Sequence, residues 1–410
     1  MKIKLFKKES LIIKRQLSVC ILLLAFFQIS LAQDKISLET AIETALKNNN
    51  SIKNEKLKAD YLKALIQSNT DIPKTIVFGE FGQINSNYAD TKFGISQSFA
   101  LPTVYKRQKE FLKENYNSKI LQTNLQEFEV KKTVTQLFYN YLTLKEKEKL
   151  LQKADTLFSK FFDKANLRFQ KGESNILEKA TAENQKTNVN IQLKELQLAI
   201  EILKLEFQLV LNSQEMFLPN ASGFKAILIE NKIEENPNLK IYDQQKKLIA
   251  TETALQKSKL LPEIMVGYNN NSFAGIGLDD SQRFHSAQLG LGIPLFGRSK
   301  KTKINALKIA ESAAESEYQN QVLNLKNEFN KLMVQYQSNL EITNLLENQS
   351  IKNSKLISDV TNKQFINGEI NYLDFVALIN QSTAIQNTYI ESVMKLNNTI
   401  ISLNYINLKN

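Results

Sequence analysis

Proline and glycine are placed so unevenly along this 410-residue chain that they dictate its shape. All six prolines stand at 73, 102, 219, 237, 262 and 294, and ten of the twelve glycines lie between Gly79 and Gly94 or between Gly223 and Gly297. Only Gly172 and Gly368 fall elsewhere. Thr103 to Asn212 thus holds no proline and a single glycine, and Ser299 to Asn410 repeats that description. One glycine between two breaker-free runs reads as the turn of a helical hairpin. The first arm of each hairpin, Thr103 to Lys171 and Ser299 to Asn367, runs for about 69 residues, or about 100 Å of helix. No compact domain encloses such an element.

Apolar residues recur at spacings of three and four in both arms. The first carries Phe128, Leu137, Phe138, Tyr141, Leu144, Leu151, Phe158 and Phe162; the second carries Leu323, Phe329, Leu332, Tyr336, Leu340, Leu345 and Leu346. Such seams predict antiparallel helices in coiled-coil packing. The return arm Glu173 to Asn212, about 40 residues, and a helix over Ser37 to Asn69, about 33, are each too short to line the long arm, but end to end they nearly match it. Ser37 is placed to cap the latter helix, although Thr40 stands where a capping box carries Glu or Gln.

Between the helices the period changes to two. Phe93, Ile95, Gln97, Phe99 and Leu101 alternate with Gly94, Ser96, Ser98 and Ala100, and Ala287, Leu289, Leu291, Ile293 and Leu295 alternate with small or polar residues. Strands are expected at 75–85, 93–101, 263–271 and 287–295, joined by turns at 86–91 and 272–285. Each is about 9 to 11 residues long, which is the length of a tilted membrane strand. Phe93, Ile95, Phe99, Leu289, Leu291 and Ile293 are the expected lipid-facing side chains. Four strands cannot close a barrel without exposed edges in lipid, so several chains must share one.

The halves of the chain match. Asn50-Ser51-Ile52-Lys53 falls on Pro237-Asn238-Leu239-Lys240, Pro73 on Pro262, Pro102 on Pro294 and Gly172 on Gly368, with an offset drifting only from 187 to 196. At the hairpin turns Phe169-Gln170-Lys171-Gly172-Glu173-Ser174-Asn175-Ile176-Leu177-Glu178 matches Phe365-Ile366-Asn367-Gly368-Glu369-Ile370-Asn371-Tyr372-Leu373-Asp374. A helix-strand-strand-helix-helix unit is therefore duplicated: a first repeat over 33–218, an inter-repeat segment over 219–236 and a second repeat over 237–410.

Residues 1–32 read as a signal peptide, with Lys2, Lys4, Lys7, Lys8, Lys14 and Arg15 ahead of an apolar run from Leu17 to Phe27 and a Ser30-Leu31-Ala32 cleavage site. Six basic residues and Glu9 leave with it, so the formal charge of +11 falls by five to +6, and a nucleic-acid partner is not indicated. The sole cysteine, Cys20, lies in this leader. Read as a lipoprotein box, Leu17-Ser18-Val19-Cys20 has an oversized Val19, and most of the apolar run follows the cysteine. Zinc sites, Ser-His-Asp triads, Cys-His pairs and disulfide frameworks all need residues that a chain with one histidine and no cysteine in its mature part scarcely has. A mean hydropathy of -0.30 excludes a bundle of membrane helices, each needing roughly 20 apolar residues. His285 reads as a solvated loop residue or a cation ligand.

Over nearly the whole mature chain the sequence resembles the outer-membrane efflux proteins of the TolC family. The resemblance is carried by the helix starting at Ser37, the paired strand hairpins, and the tip motifs Gly172 to Glu178 and Gly368 to Asp374. Gly94-Ile95-Ser96-Gln97-Ser98-Phe99-Ala100-Leu101-Pro102-Thr103-Val104-Tyr105 further resembles members that serve heavy-metal pumps of the resistance-nodulation-division type. It implies a mainly α protein with membrane β structure: a homotrimer sharing a 12-stranded barrel that continues into an α-helical tunnel, set in the outer membrane and reaching through the periplasm. It also implies an adaptor protein and an inner-membrane pump as partners, no cofactor and no catalytic site. Gly172, Glu178, Gly368 and Asp374 would form the tip turns and tunnel mouth, although Ala377 stands where the family has a second tip acid. A periplasmic scaffold or adhesin without a pore is the alternative, and it has no use for membrane-length strands. An enzyme would need a phosphate loop, metal cluster or nucleophile constellation, none of which the sequence contains.

Overall fold

The computed structural model describes residues 34–84, 87–229, 236–273 and 283–406. The expected leader with Cys20, and most of the expected 272–285 turn, lie outside them. In chain order the elements are β1 (Asp34–Ile36), α1 (Leu38–Asn48), α2 (Asn50–Leu65), β2 (Ile76–Gly82), β3 (Asp90–Ala100), α3 (Pro102–Gln170), α4 (Ile176–Leu211), β4 (Phe217–Pro219), α5 (Pro237–Ser258), β5 (Glu263–Ser272), β6 (Arg283–Gly292), α6 (Arg298–Leu345), α7 (Ile351–Asn367) and α8 (Tyr372–Ile406). The chain is mainly helical, with one four-stranded sheet and a short parallel pair formed by β1 and β4.

Helix α3 is a single run of 69 residues that begins with Pro102 at a position needing no N–H. It is the centre of the molecule, contacted by α1, α2, α4, α5 and α8. Of its expected seam, Phe128, Leu137, Phe138, Tyr141, Leu151 and Phe158 are accordingly buried, and Leu144 and Phe162 are partly buried against the core. The matching second arm differs in two respects. A π-helical turn, Leu346–Ser350, separates α6 from α7. Helix α6 also packs mainly on α5 and α8, so Leu323 and Leu345 of the expected seam are exposed. The first arm is enclosed by its own chain, whereas the second lies on the periphery.

The helix expected over 37–69 is broken at Asn49, whose ψ of 121° is extended. Ser37 does cap α1, accepting from Thr40 N at 3.2 Å. Asn49 Oδ1 then caps α2 by accepting from Ser51 N at 2.9 Å, while its Nδ2 donates to Val210 O in the last turn of α4 at 3.2 Å. Asn212 answers from the other side: in the left-handed region at φ 46°, it donates through Nδ2 to Asn48 O at 2.9 Å. The C-terminus of α4 thus abuts the N-terminus of α2, and the two continue each other along α3. Helix α1 crosses the junction, burying Ala41 and Ala45 against Ile52, Phe138, Phe207 and Leu211. The second repeat makes the same join, where Asn236 Oδ1 caps Asn238 N at 2.8 Å and Asn236 Nδ2 donates to Ile406 O of α8 at 2.7 Å.

After β4 the chain runs extended along α8 and is clamped there by two asparagines seven positions apart. Asn397 accepts from Ala226 N at 2.8 Å and donates to Phe224 O at 2.6 Å; Asn404 accepts from Ile229 N at 2.8 Å and donates to Ile227 O at 2.8 Å. Each carboxamide replaces the missing neighbour of an isolated strand. Lys225 reaches from this strap to Glu347 in the π turn at 2.6 Å. Hydrogen bonding from that ammonium holds the Glu347 carboxyl below the usual glutamate range.

The sheet order is β2-β3-β5-β6, antiparallel throughout, with β3 and β5 joining the two repeats. Strand limits shift from those expected: β2 is shorter, β3 starts at Asp90, and β6 runs from Arg283 to Gly292 instead of 287–295. Pro294 has no N–H to extend the ladder.

Asn236 tests the helix joins. Asn236→Ala removes both cap and tie and is expected to lower stability by about 1–2 kcal/mol, whereas Asn236→Asp keeps the capping acceptor and should cost about half as much. Urea unfolding midpoints of the two variants would check this order.

Candidate functional site

Directly paired residues of an antiparallel sheet share a face. The register pairs Val77 with Ile95, Ile95 with Tyr268, Phe99 with Ile264, Val266 with Leu289 and Ile264 with Leu291. Phe93, Ile95, Phe99, Leu289 and Leu291 therefore project on one side, all exposed, and Leu289 reaches 83%. Ile293 is exposed but lies just past the end of β6, where Leu295 N donates back to Ile293 O at 2.9 Å in a tight turn. Gln97 interrupts the apolar face near its foot and is tied locally, accepting from Thr75 Oγ1 at 2.5 Å and donating to Pro73 O at 2.7 Å.

The opposite face is mixed, with small and polar groups (Ser96, Ser98, Gly267, Gly290 and the Lys92–Glu80 ion pair at 3.1 Å) interspersed with Phe78, Met265 and Phe284. Gly94 is required there, since a Cβ would lie 2.3 Å from the Phe78 ring and 2.6 Å from Asn269 Oδ1. His285 belongs to β6 instead of a polar loop, with its ring stacked on Tyr268 and its Nδ1 hydrogen-bonded to the Tyr268 hydroxyl. Among the described residues, no cluster of three or more His, Cys, Asp or Glu is placed to hold a metal, and neither outer edge of the sheet, β2 or β6, has a partner strand. No described helix is long and apolar enough to cross a membrane.

At the far end of the helices the two hairpin turns lie together. Gly172 and Gly368 have φ of 74° and 79°, and each turn closes in the same way: Glu173 N donates to Arg168 O at 2.9 Å and Glu369 N to Gln364 O at 2.8 Å. These are Schellman motifs. Asn175 and Asn371 then cap the returning helices through Glu178 N at 3.0 Å and Asp374 N at 2.9 Å.

The matched acids differ. Glu178 is 4% exposed, accepting from Arg168 Nη1 at 2.8 Å and from Ser174 Oγ at 2.5 Å, so its carboxylate is turned into its own hairpin. Asp374 is exposed and, among the described residues, its carboxylate accepts only from Asn371 Nδ2, at 2.8 Å. Four phenylalanines bind the tips to each other: Phe365 stacks on Phe375 at 4.3 Å between centroids, Phe161 meets both, and Phe158 approaches Phe375 edge-on. Lys164 of the first hairpin donates to Phe365 O at 2.8 Å and Ile366 O at 3.2 Å, neutralising the end of α7 in the second. Arg168 and Lys164 were not singled out in the sequence, where they read as solvated charges of a helix face; their positions one and two turns before a tip glycine were the available signal.

The tip glycines are tested by substitution. No atom lies within 4 Å of a Cβ built at either one, so the cost is conformational alone. Gly368→Val is expected to lose about 1–2 kcal/mol and Gly368→Asn much less, because asparagine enters the left-handed region readily. Thermal melts and proteolytic nicking of the tip would rank them.

No protein-family model and no curated protein sequence matches the chain. Solved structures do. A membrane protein from Pseudomonas aeruginosa superposes with a TM-score of 0.75 at 14% identity, over 90% of this chain and 93% of that one. CusC, solved in work on folding and transmembrane channel formation, gives 0.74 at 15% identity over 90% and 91%. The Campylobacter jejuni CmeC outer membrane channel gives 0.73 at 14% identity over 90% and 85%. The protein therefore has the fold of the outer-membrane channels, which is the fold its TolC-family resemblance implies.

Proposed function

We propose that this chain is the outer-membrane exit duct of a tripartite efflux or secretion system, passively conducting substrate from an inner-membrane pump across the periplasm and outer membrane. The observation that carries the proposal is the sheet: one face is lined by exposed apolar side chains, the other is richer in small and polar ones, both edges are open among the described residues, and it stands at one end of helices about 100 Å long. Open edges in lipid cost several kcal/mol per unsatisfied group. Pairing β6 of one copy with β2 of the next removes them. Two copies would give about eight strands, whose interior side chains fill, whereas three give 12 and leave a lumen. Large apolar residues exposed along α6 (Ile309, Leu323, Val334) and α4 (Leu198, Leu205, Leu209) supply further surface for neighbouring copies.

The adaptor docks at the tips, where Leu177, Ile366 and Leu373 are exposed beside the turns. The resemblance of Gly94 to Tyr105, together with the CusC likeness, supports a pump of the resistance-nodulation-division type. The pump selects the cargo, since the wall of a passive duct carries little specificity. Of the two tip acids, Asp374 is the mouth residue and Glu178 a brace.

Detergent-extracted protein is expected to run near three times its mature mass; a stable monomer would support the poreless scaffold instead. Leu289→Arg should cost roughly 2–4 kcal/mol of assembly stability and Ser96→Arg clearly less, with equal defects contradicting the assigned faces. In planar bilayers the trimer should conduct, and Asp374→Asn should weaken block by divalent cations from the tip side, while unchanged block would withdraw Asp374 from the mouth.

A further inference from the structure

The surface changes character abruptly at the foot of the sheet. Beyond β6, in the turn Leu295–Gly297, Leu295 is 81% and Phe296 97% exposed, at the same end of the sheet as the exposed Leu291. Immediately after it, α6 opens with Arg298, Lys300 and Lys301, and α3 opens at the matching place with Lys106, Arg107 and Lys109. These cations sit within about 10 Å of the strand ends, given the rise of a helix. Neither helix has an acidic residue in its first turn. Arg107 is paired with Glu110 at 2.7 Å and Lys300 donates to Lys259 O at 2.8 Å. Among the described residues, Lys106, Lys109, Arg298 and Lys301 make no ion pair. The cations toward the other end of the sheet are occupied: Lys92 pairs with Glu80 at 3.1 Å, and Arg283 donates to Thr91 Oγ1 at 2.7 Å and Asn270 Oδ1 at 2.5 Å. Asp71 and Glu263 lie at the same end as Lys106, Lys109, Arg298 and Lys301, so these four cations outnumber the nearby acids and leave one rim of the apolar face positive, at the end where Phe296 is exposed.

We propose that this rim is a phospholipid docking surface. Leu295 and Phe296 insert among the acyl chains of the leaflet nearest the helices, and the unpaired cations at the starts of α3 and α6 bind lipid phosphate, selecting anionic over zwitterionic phospholipid. The chemistry is that of a basic juxtamembrane segment beside an aromatic anchor. Long cationic side chains reach the headgroups while their stems lie against apolar surface. The proposal rests on the barrel reading above, because the rim exists only if the sheet stands in a bilayer.

The chain contains no tryptophan, so one substitution installs a unique reporter. Full-length Phe296→Trp is reconstituted into phosphatidylcholine vesicles containing an equal mole fraction of either brominated phosphatidylglycerol or brominated phosphatidylcholine. Quenching by the anionic lipid is expected to exceed quenching by the zwitterionic one at least about two-fold. Adding Lys106→Gln, Lys109→Gln, Arg298→Gln and Lys301→Gln should equalise them. Leu289→Trp, in mid-sheet, should be quenched by both lipids with or without the four glutamines, which verifies insertion of the charge variant, and Val334→Trp on α6 by neither. Equal quenching at position 296 in the parent, a preference that survives the four glutamines, or quenching at 289 but none at 296 overturns the rim and leaves the barrel standing. Absence of quenching at both 289 and 296 overturns the barrel reading and the rim with it.

Discussion

A helix of 69 residues has far more flank than one partner of ordinary length can shield, and the fold is organised around covering α3. The cover comes in pieces: α4 from the tip side, α2 from the sheet side, α1 across their join, and α5 and α8 from the second repeat. Burial of Phe138, Phe158, Phe161 and Phe207 supplies roughly 1.5–3 kcal/mol for each ring, so the apolar seam drives the assembly. Hydrogen bonds at the joins decide where the pieces end. The duplication makes this economical, because a unit that can line a long helix can also be lined by its own copy.

Much of this is legible in the sequence because it depends on residues that allow few alternatives. Gly172 and Gly368 mark the tips since both turns require positive φ, and Pro102 marks where β3 gives way to helix, whereas the strand expected to run on through Pro294 stops before it at Gly292. The alternation of Phe93, Ile95 and Phe99 against Gly94, Ser96 and Ser98 fixes which face is apolar, because the period of two admits no other assignment. The stacking of two short helices along a long one follows from length alone, although the shorter helix has its break at Asn49, one residue before the stacked part begins.

What was not legible depends on side chains whose meaning is set by distant neighbours. Asn49 and Asn236 look like ordinary caps, yet each also ties its helix to the end of another helix more than 150 positions away in sequence. Asn397 and Asn404 look like surface residues of α8 until an extended strap lies against them. Glu178 and Asp374 occupy equivalent positions, and only the presence of Arg168 and Ser174 beside the first turns one carboxylate inward. The π turn at Leu346–Ser350 leaves no mark in a pattern of threes and fours, since one widened turn merely rotates the apolar face beyond it.

The way the two repeats meet also orders events in time. Every helical hairpin closes between neighbours in sequence, whereas β3 meets β5 across both arms of the first hairpin, as in the bond from Thr91 N to Ser272 Oγ spanning 181 residues. Closing so long a loop carries an entropic cost that local helix pairs do not bear, and contacts of this range form slowly. The helical hairpins can therefore fold while the strands are still separate and short. The apolar face is assembled last, after the rods that align it exist, which limits how long a sticky, half-paired sheet is presented to other chains.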